Sequence, residues 1–249
     1  MSDQIDFLLD SLPHLLFGFP GQRPGGLVMS VLLAVAGLGV GLAVAVVVAA
    51  AQDARSRSLR RLADSYVHLF RGIPLILLVL IIHQLVASGP ILGLNNTPLG
   101  SAVIALVLYS SAYQADIIRT GLRSVPVGMV EWARVIGGSP WQVYRLVKLP
   151  YSLRVMQPAL SGQGITLFKD TSVVVIIGVA ELTTTARIVL GSDVGNTPFW
   201  VATYLTVGLL YFVVAFAVSR LALRGERRYQ AGNLVRSLAI PTAKTGSRL

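Results

Sequence analysis

The sequence contains no cysteine and only three histidines among its 249 residues. Without cysteine the chain has no disulfide, no thiolate metal site and no cysteine nucleophile. The histidines, His14, His68 and His83, are too scattered for a recognised metal-ligand spacing, which argues against a metalloenzyme. A GxxxxGKS/T phosphate-binding loop is also missing. We therefore expect no bound cofactor and no ATP site in this chain, so that any energy from ATP comes from a partner.

Charged residues are scarce, at 13% of the chain against roughly 25% in soluble domains. Hydrophobic residues make up 54%, and the mean hydropathy is +0.70. Five long apolar stretches can each cross a bilayer core of about 30 Å as a helix. They predict an all-α integral membrane protein with spans near 27–51, 73–94, 98–119, 158–181 and 198–220.

The 21 Lys and Arg residues give the chain a net charge of +10, and all but Arg23, Lys169 and Arg187 follow the first, third and fifth predicted spans. The positive-inside rule makes those faces cytoplasmic, with the N-terminus outside and the C-terminus inside. Aromatic residues do not interleave with the basic ones, as they do in many nucleic-acid-binding surfaces. The membrane topology therefore explains the charge, and no nucleic acid is expected as a partner.

The N-terminal segment, 1–26, does not resemble a cleaved secretory signal. Three acidic residues stand where a signal peptide has basic ones, and no small-residue cleavage site follows. We expect an external amphipathic helix at the membrane surface instead. The transmembrane domain then covers 27–223, and a basic cytoplasmic tail covers 224–249.

A polar segment, EWARVIGGSPWQVYRLVKLP, joins the third and fourth predicted spans at 131–150. A short helix over 127–136 is expected to stop at Gly137, because glycine reaches left-handed conformations without strain. Ser139 and Gln142 form a capping-box pattern that starts a second helix. Pro150 is expected to end that helix, so the segment predicts two short helices and a tight turn.

The spacing of this segment resembles the EAA loop of bacterial ABC importer permeases, in which E, A, G, L and P stand where this chain has Glu131, Ala133, Gly137, Leu149 and Pro150. An ordinary cytoplasmic loop with two surface helices is the alternative, but the full spacing inside a membrane protein favours the resemblance. It implies a coupling loop over about 120–157, in which the residues expected to face the ATPase are Glu131, Trp132, Ala133, Arg134, Gly137, Leu149 and Pro150.

Most of the chain, from 26 to 230, is similar to permeases of the polar amino acid uptake family, which includes histidine, glutamine, glutamate and arginine importers. The matching runs are FRGIPL at 70–75, SAYQADIIRTGLRSVPVGMVEWA at 111–133, FKDTSVVVIIGVAEL at 168–182 and ERRYQ near the C-terminus. The chain departs from the family pattern at Asp116, where Glu is usual, at Met129, where Gln is usual, and at Trp132.

The resemblance implies a non-catalytic permease with the type I ABC importer fold, in a bacterial inner membrane. Its expected partners are membrane lipid, two ATPase subunits that use ATP and magnesium, a second permease of identical or related sequence, and an external solute-binding protein. The expected substrate is a polar amino acid or a derivative, with another small polar solute as the alternative. A passive channel or an intramembrane enzyme would need charge rings or catalytic constellations that the sequence lacks.

Ionisable residues inside predicted spans are candidates for the substrate pathway, because they are costly to insert. Asp116 shares a helical face with Tyr109 and Ala112, as a site for a zwitterion requires. The alternative role for Asp116 is a salt bridge with Arg119 at i,i+3.

Lys169 and Asp170 interrupt the fourth predicted span and are followed by Thr171 and Ser172. One of the two charges contacts substrate, or both hold a broken helix together through neighbouring spans or backbone groups. Glu181 closes this span and either contacts a cation or the binding protein, or is an ordinary solvated helix end. His83 in the second span is a substrate or proton contact, or a neutral histidine bonded to a neighbouring helix.

Overall fold

The computed structural model describes residues 2–21, 24–87 and 97–238, and within these ranges every regular element is a helix. Three irregular helices interrupt the α-helices: a π-helical turn at Tyr144–Lys148 and 3₁₀ helices at Thr171–Ile177 and Val194–Phe199. The α-helices are α1 Ser2–Phe17, α2 Gly26–Gln52, α3 Arg57–Gly72, α4 Leu75–Ala87, α5 Pro98–Arg123, α6 Val127–Val135, α7 Pro140–Val143, α8 Leu149–Val155, α9 Gln157–Asp170, α10 Leu182–Gly191 and α11 Trp200–Leu238.

Four helical stretches are long and apolar enough to cross a membrane: Gly26–Gln52, Pro98–Arg123, Gln157–Ile177 and Val194–Arg224. The bent pair α3 and α4 supplies a fifth if it is counted as one span. The prediction of an all-α membrane protein is therefore confirmed. The helix of the last span continues beyond the predicted end of that span, since α11 ends at Leu238.

The second predicted span, at 73–94, contains α4, and 88–94 lies outside the described residues. α3 precedes this helix, with a bend of 108° between the two. Pro74 disfavours the α conformation of the residue before it, and Ile73 is extended at φ −88° and ψ 128°. The basic segment before this break was not predicted to be helical, yet it forms the four turns of α3.

The fourth predicted span, at 158–181, ends earlier than expected and changes pitch on the way. α9 ends at Asp170, and the chain continues as a 3₁₀ helix only to Ile177. The hydroxyl groups of Thr171 and Ser172 donate to the carbonyl oxygens of Phe168 and Lys169, three residues back, at 2.7 and 2.9 Å. These short-range bonds accompany the tighter turn, so Lys169 and Asp170 lie at the junction of the two helix types.

The centre of the molecule is the contact between α2 and α5. A Cβ atom on Gly37 would lie 3.2 Å from Cβ of Leu106, and one on Gly41 would lie 3.3 Å from Cβ of Ser110. The GxxxG pattern of the first span thus lets the two helices approach closely, as small residues do in membranes. Buried Leu33, Leu106 and other apolar side chains extend this core to α4 and α9.

The N-terminal segment forms the expected helix, α1. Its Leu15 is fully buried against Leu182, Ala186 and Val207. The helix therefore packs on α10 and α11 rather than resting only on the membrane surface.

Candidate functional site

The segment that resembles an EAA loop has the helix, turn and helix that its sequence predicts. α6 ends at Val135, and Gly137 follows in the left-handed conformation at φ +88°. The Ser139 backbone N–H donates to Gln142 Oε1 at 2.8 Å, and the Gln142 N–H donates to Ser139 Oγ at 3.3 Å. These two bonds form a complete capping box at the start of α7.

The expectation that Pro150 ends the second helix is wrong. α7 passes into the π-helical turn at Tyr144–Lys148, and α8 continues through Pro150 to Val155. The Leu149 N–H bonds to the Tyr144 carbonyl, five residues back, which is the π-helical spacing. Pro150 occupies the first turn of α8, where a proline is tolerated. Leu149 itself packs against the buried cluster formed by α2 and α5.

The outer face of the segment carries large apolar side chains that no other described residues bury. We define the coupling patch as Trp132, Val135, Ile136, Trp141 and Leu146, all of them exposed, with Val135 at 84%. Glu131, Arg134 and Gly137 are also exposed, whereas Ala133 is buried and faces the turn. A cavity of about 340 Å³ lies beside Trp132, Ile136 and Leu146. An apolar surface of this kind marks a protein or membrane interaction site.

The inner face of the same segment is attached to two spans. Lys148 forms an ion pair with Asp53 at the end of α2, and the Tyr144 hydroxyl donates to the Val46 carbonyl at 3.0 Å. Ser152 Oγ donates to the Ile118 carbonyl of α5 at 2.8 Å. Burial raises the pKa of Tyr144 to about 12, helped by the negative charge of Asp53. These contacts attach the segment to α2 and α5.

Asp116 forms an ion pair, but with a different partner from the one predicted. Arg71 Nη1 of α3 donates to Asp116 Oδ2 at 2.5 Å. Arg119 instead pairs with Asp64 at 2.8 Å, because α3 lies across α5 and offers a carboxylate there. Sequence spacing within α5 could not reveal either partner. The sequence signal that pointed to Arg71 was its place in the FRGIPL run.

The predicted stripe of Tyr109, Ala112 and Asp116 is only partly correct. Ala112 is fully buried, whereas Tyr113, at i+4 from Tyr109, shares the open face. The rings of Tyr109 and Tyr113 lie 4.8 Å apart, and the Arg71 guanidinium lies 5.1 Å from the Tyr113 ring centre. Asp170 interacts electrostatically with Tyr109. These five residues, Arg71, Tyr109, Tyr113, Asp116 and Asp170, are called the polar cluster below.

Lys169 is exposed and Asp170 is half-buried, and neither forms an ion pair within the part of the chain that the structure describes. The backbone contacts at this junction come from Thr171 and Ser172 instead. The described residues therefore do not support the alternative in which both charges hold the helix together through ion pairs or backbone bonds. Asp170 belongs to the polar cluster, whereas Lys169 is exposed.

Glu181 is fully buried, so the expectation of a solvated helix end is wrong. Its carboxylate caps α10 by accepting from the backbone N–H groups of Thr183 and Thr184 at 2.9 and 2.8 Å. The Tyr211 hydroxyl donates to it at 2.8 Å, and Ser30 Oγ lies 3.4 Å away. These contacts join α10 to α2 and α11, which leaves Glu181 no open side for a ligand.

His83 has a partner in the neighbouring span. Its Nδ1 lies 3.2 Å from Ser101 Oγ of α5. This contact is the neighbouring-helix bond that the sequence offered as the alternative to a substrate role.

Comparison with known proteins agrees with the helical membrane fold. Residues 37–230 match the family model of binding-protein-dependent transport system inner membrane components. The chain belongs to this family. It is the membrane component of a transport system, and the expected fold and non-catalytic permease class are confirmed by that membership.

Two relatives of this chain are amino acid permeases. The glutamate/aspartate import permease protein GltK of Escherichia coli O6:H1 is 32% identical over 226 residues, which are 89% of this chain and 96% of GltK. The glutamine transport system permease protein GlnP of Escherichia coli K12 is 30% identical over 203 residues, which are 82% of this chain and 90% of GlnP.

A solved structure of an amino acid ABC transporter with histidines matches the fold with a TM-score of 0.73 at 27% sequence identity. The match covers 91% of this chain and 97% of that chain. The helical arrangement of this chain is therefore similar to that of a chain of an amino acid ABC transporter.

Proposed function

We propose that this chain is the permease subunit of an ATP-driven importer for a polar amino acid or an amino-acid derivative. It works in a bacterial inner membrane with the N-terminus outside. Two ATPase subunits, an external solute-binding protein and a second permease, identical or related, complete the complex. The exposed coupling patch, attached from behind to α2 and α5, is the observation that carries this proposal.

The coupling patch supports an ATPase partner through its chemistry and its attachment. Trp132, Val135 and Ile136 expose apolar area that a groove on another protein buries favourably. Their segment is joined to α2 through Asp53 and to α5 through Ile118. When ATP closes the ATPase pair, movement of the patch tilts both spans, and access to the pathway alternates between the two sides.

The polar cluster supports an amino acid as the transported solute. Arg71 and Asp116 present both signs of charge, with side chains 38% and 40% exposed. A zwitterion offers a carboxylate to the guanidinium and an ammonium group to the carboxylate. The rings of Tyr109 and Tyr113 add faces on which an ammonium group rests favourably. GltK and GlnP are named for glutamate, aspartate and glutamine, which agrees with this substrate class.

The deciding experiment is ATP hydrolysis by the complete complex in lipid, titrated with solute-binding protein loaded with single polar amino acids. We expect one loaded form to stimulate hydrolysis well above the unloaded protein. An intact complex that no amino acid stimulates would overturn the substrate assignment and favour the alternative, an importer for another small polar solute. Failure of the chain to copurify with any ATPase subunit would overturn the importer proposal itself.

A further inference from the structure

A cationic cavity lies where α2 and α5 end and α3 begins. Its volume is about 220 Å³. We call it the arginine cavity, and its lining residues are Gln52, Asp53, Arg60, Arg119, Leu122 and Arg123.

The arginine cavity carries an excess of positive charge. Its one acidic side chain, Asp53, is paired with Lys148, and Arg119 is paired with Asp64. Within the described part of the chain, Arg60 and Arg123 form no ion pair. Two guanidinium groups on different helices are thus free to bind one anion, and guanidinium groups bind phosphate oxygens in pairs.

Gln52, which lines the same cavity, has a hydrogen-bond acceptor without a donor. Its side chain is 3% exposed, and its Nε2 donates to Asp64 Oδ1 at 2.8 Å. Its Oε1 is buried and has no hydrogen-bond partner among the described residues. A buried acceptor without a donor costs free energy. A ligand that carries a hydroxyl group beside its anion supplies that donor.

The surroundings favour a lipid over a soluble anion. α2 and α5 are membrane spans, so the cavity opens where they leave the bilayer. The residues on either side of Arg60 in α3 include Leu59 and Leu62, whose side chains are exposed. A basic helix with exposed leucines beside a span is suited to the headgroup region, where anionic lipids attract Lys and Arg.

We propose that the arginine cavity binds the headgroup of an anionic glycerophospholipid. The phosphate lies between Arg60 and Arg123, and a headgroup hydroxyl donates to Gln52. The lipid thereby links α3 to the ends of α2 and α5. This site is independent of the transported solute.

The test uses the full purified chain in phosphatidylcholine mixed micelles, into which phosphatidylglycerol is titrated. Thermal unfolding and native mass spectrometry report the stabilisation and the bound lipid. We expect the double variant Arg60→Gln, Arg123→Gln to need about tenfold more phosphatidylglycerol for half-saturation, since each basic residue near an anionic surface contributes to binding. If the double variant does not fold, the single variant Arg123→Gln, at the exposed end of α5, replaces it. We expect this variant to shift half-saturation by about threefold.

The matched control is the double variant Arg57→Gln, Arg61→Gln. It also removes two positive charges, both from α3 and outside the cavity, and we expect it to leave the titration unchanged. An equal shift in both double variants would overturn the proposal in favour of diffuse surface charge. Equal protection by soluble glycerol 3-phosphate would overturn the choice of a lipid. The absence of any preference for phosphatidylglycerol would overturn the proposal.

Discussion

Lys148 in the coupling segment forms an ion pair with Asp53, the residue that caps the end of α2. The two residues are 95 positions apart in the sequence. Their contact connects the segment that we propose to face the ATPase to the helix at the centre of the fold. Because Asp53 is 40% exposed, the pair contributes about 1 kcal/mol or less to stability.

Reversal of one charge in this pair should uncouple ATP hydrolysis from uptake. We expect Lys148→Asp to lower the amount of solute taken up per ATP several-fold, because two carboxylates then repel each other at the joint. The exchange Asp53→Lys, Lys148→Asp should restore most of the ratio. Transport and hydrolysis measured in the same proteoliposomes test this, and a swap no better than the single variant would contradict it.

Gly137 should be sensitive to substitution through its backbone rather than through lack of space. A Cβ atom at this position meets nothing within 4 Å, yet φ is +88°. We expect Gly137→Ala to cost about 1–2 kcal/mol locally and to reduce uptake, since left-handed conformations are strained for alanine. Gly128→Ala, also in open space but helical, is the control. Equal uptake by the two variants would show that the turn angle is unimportant.

The coupling patch should be needed for assembly but not for folding. Val135→Asp places a charge in the buried centre of the expected ATPase interface, and we expect copurified ATPase to fall at least tenfold. Val194→Asp is matched in residue type and in exposure, at 89% against 84%, and should leave assembly intact. A pull-down from detergent-solubilised membranes compares the two. Full ATPase recovery with Val135→Asp would move the docking surface elsewhere.

Asp116 should affect the handling of substrate more than stability. We expect Asp116→Asn to raise the apparent KM for uptake roughly tenfold or more, because a hydrogen bond between charged groups contributes about 1.5–3 kcal/mol. Asp64→Asn loses a similar pair with an arginine but lies outside the polar cluster. Uptake over a range of loaded binding protein measures both. The same KM change in the two variants would indicate a general effect of ion-pair loss.

Glu181 should be a stability residue. Glu181→Ala leaves Tyr211 and two backbone N–H groups of α10 without their acceptor in a buried place. We expect a loss of about 2–4 kcal/mol. Glu181→Gln keeps one acceptor oxygen and should lose less. Thermal unfolding in detergent ranks the variants, and wild-type stability of Glu181→Ala would show that these bonds have no net effect.

The spans and the coupling turn could be predicted because their signals are local. Apolar runs, Gly137, Ser139 and Gln142 act within a few residues of their own positions, and the structure follows them. Pro150 misled the same reasoning, since a π-helical turn upstream lets the helix continue past it. Pro74 lies at the break between α3 and α4, where the predicted span begins, whereas the helix before it was not predicted.

The partners of charged residues could not be predicted, because they come from other helices. Asp116 has an arginine three residues away in its own helix, but α3 brings Arg71 closer. Glu181 was placed at a solvated end because the burial comes from α2 and α11, which are distant in sequence. Ala112 was assigned to an open face for the same reason. Which side of α5 is covered depends on the packing of its neighbours.

The bend at Ile73 has a consequence for the direction of α3. The axes of α3 and α4 differ by 108°, so the two helices cannot both run along the membrane normal. With α4 directed across the membrane, α3 runs close to the membrane plane. Its basic residues, among them Arg57, Arg60 and Arg61, then stay near the lipid headgroups.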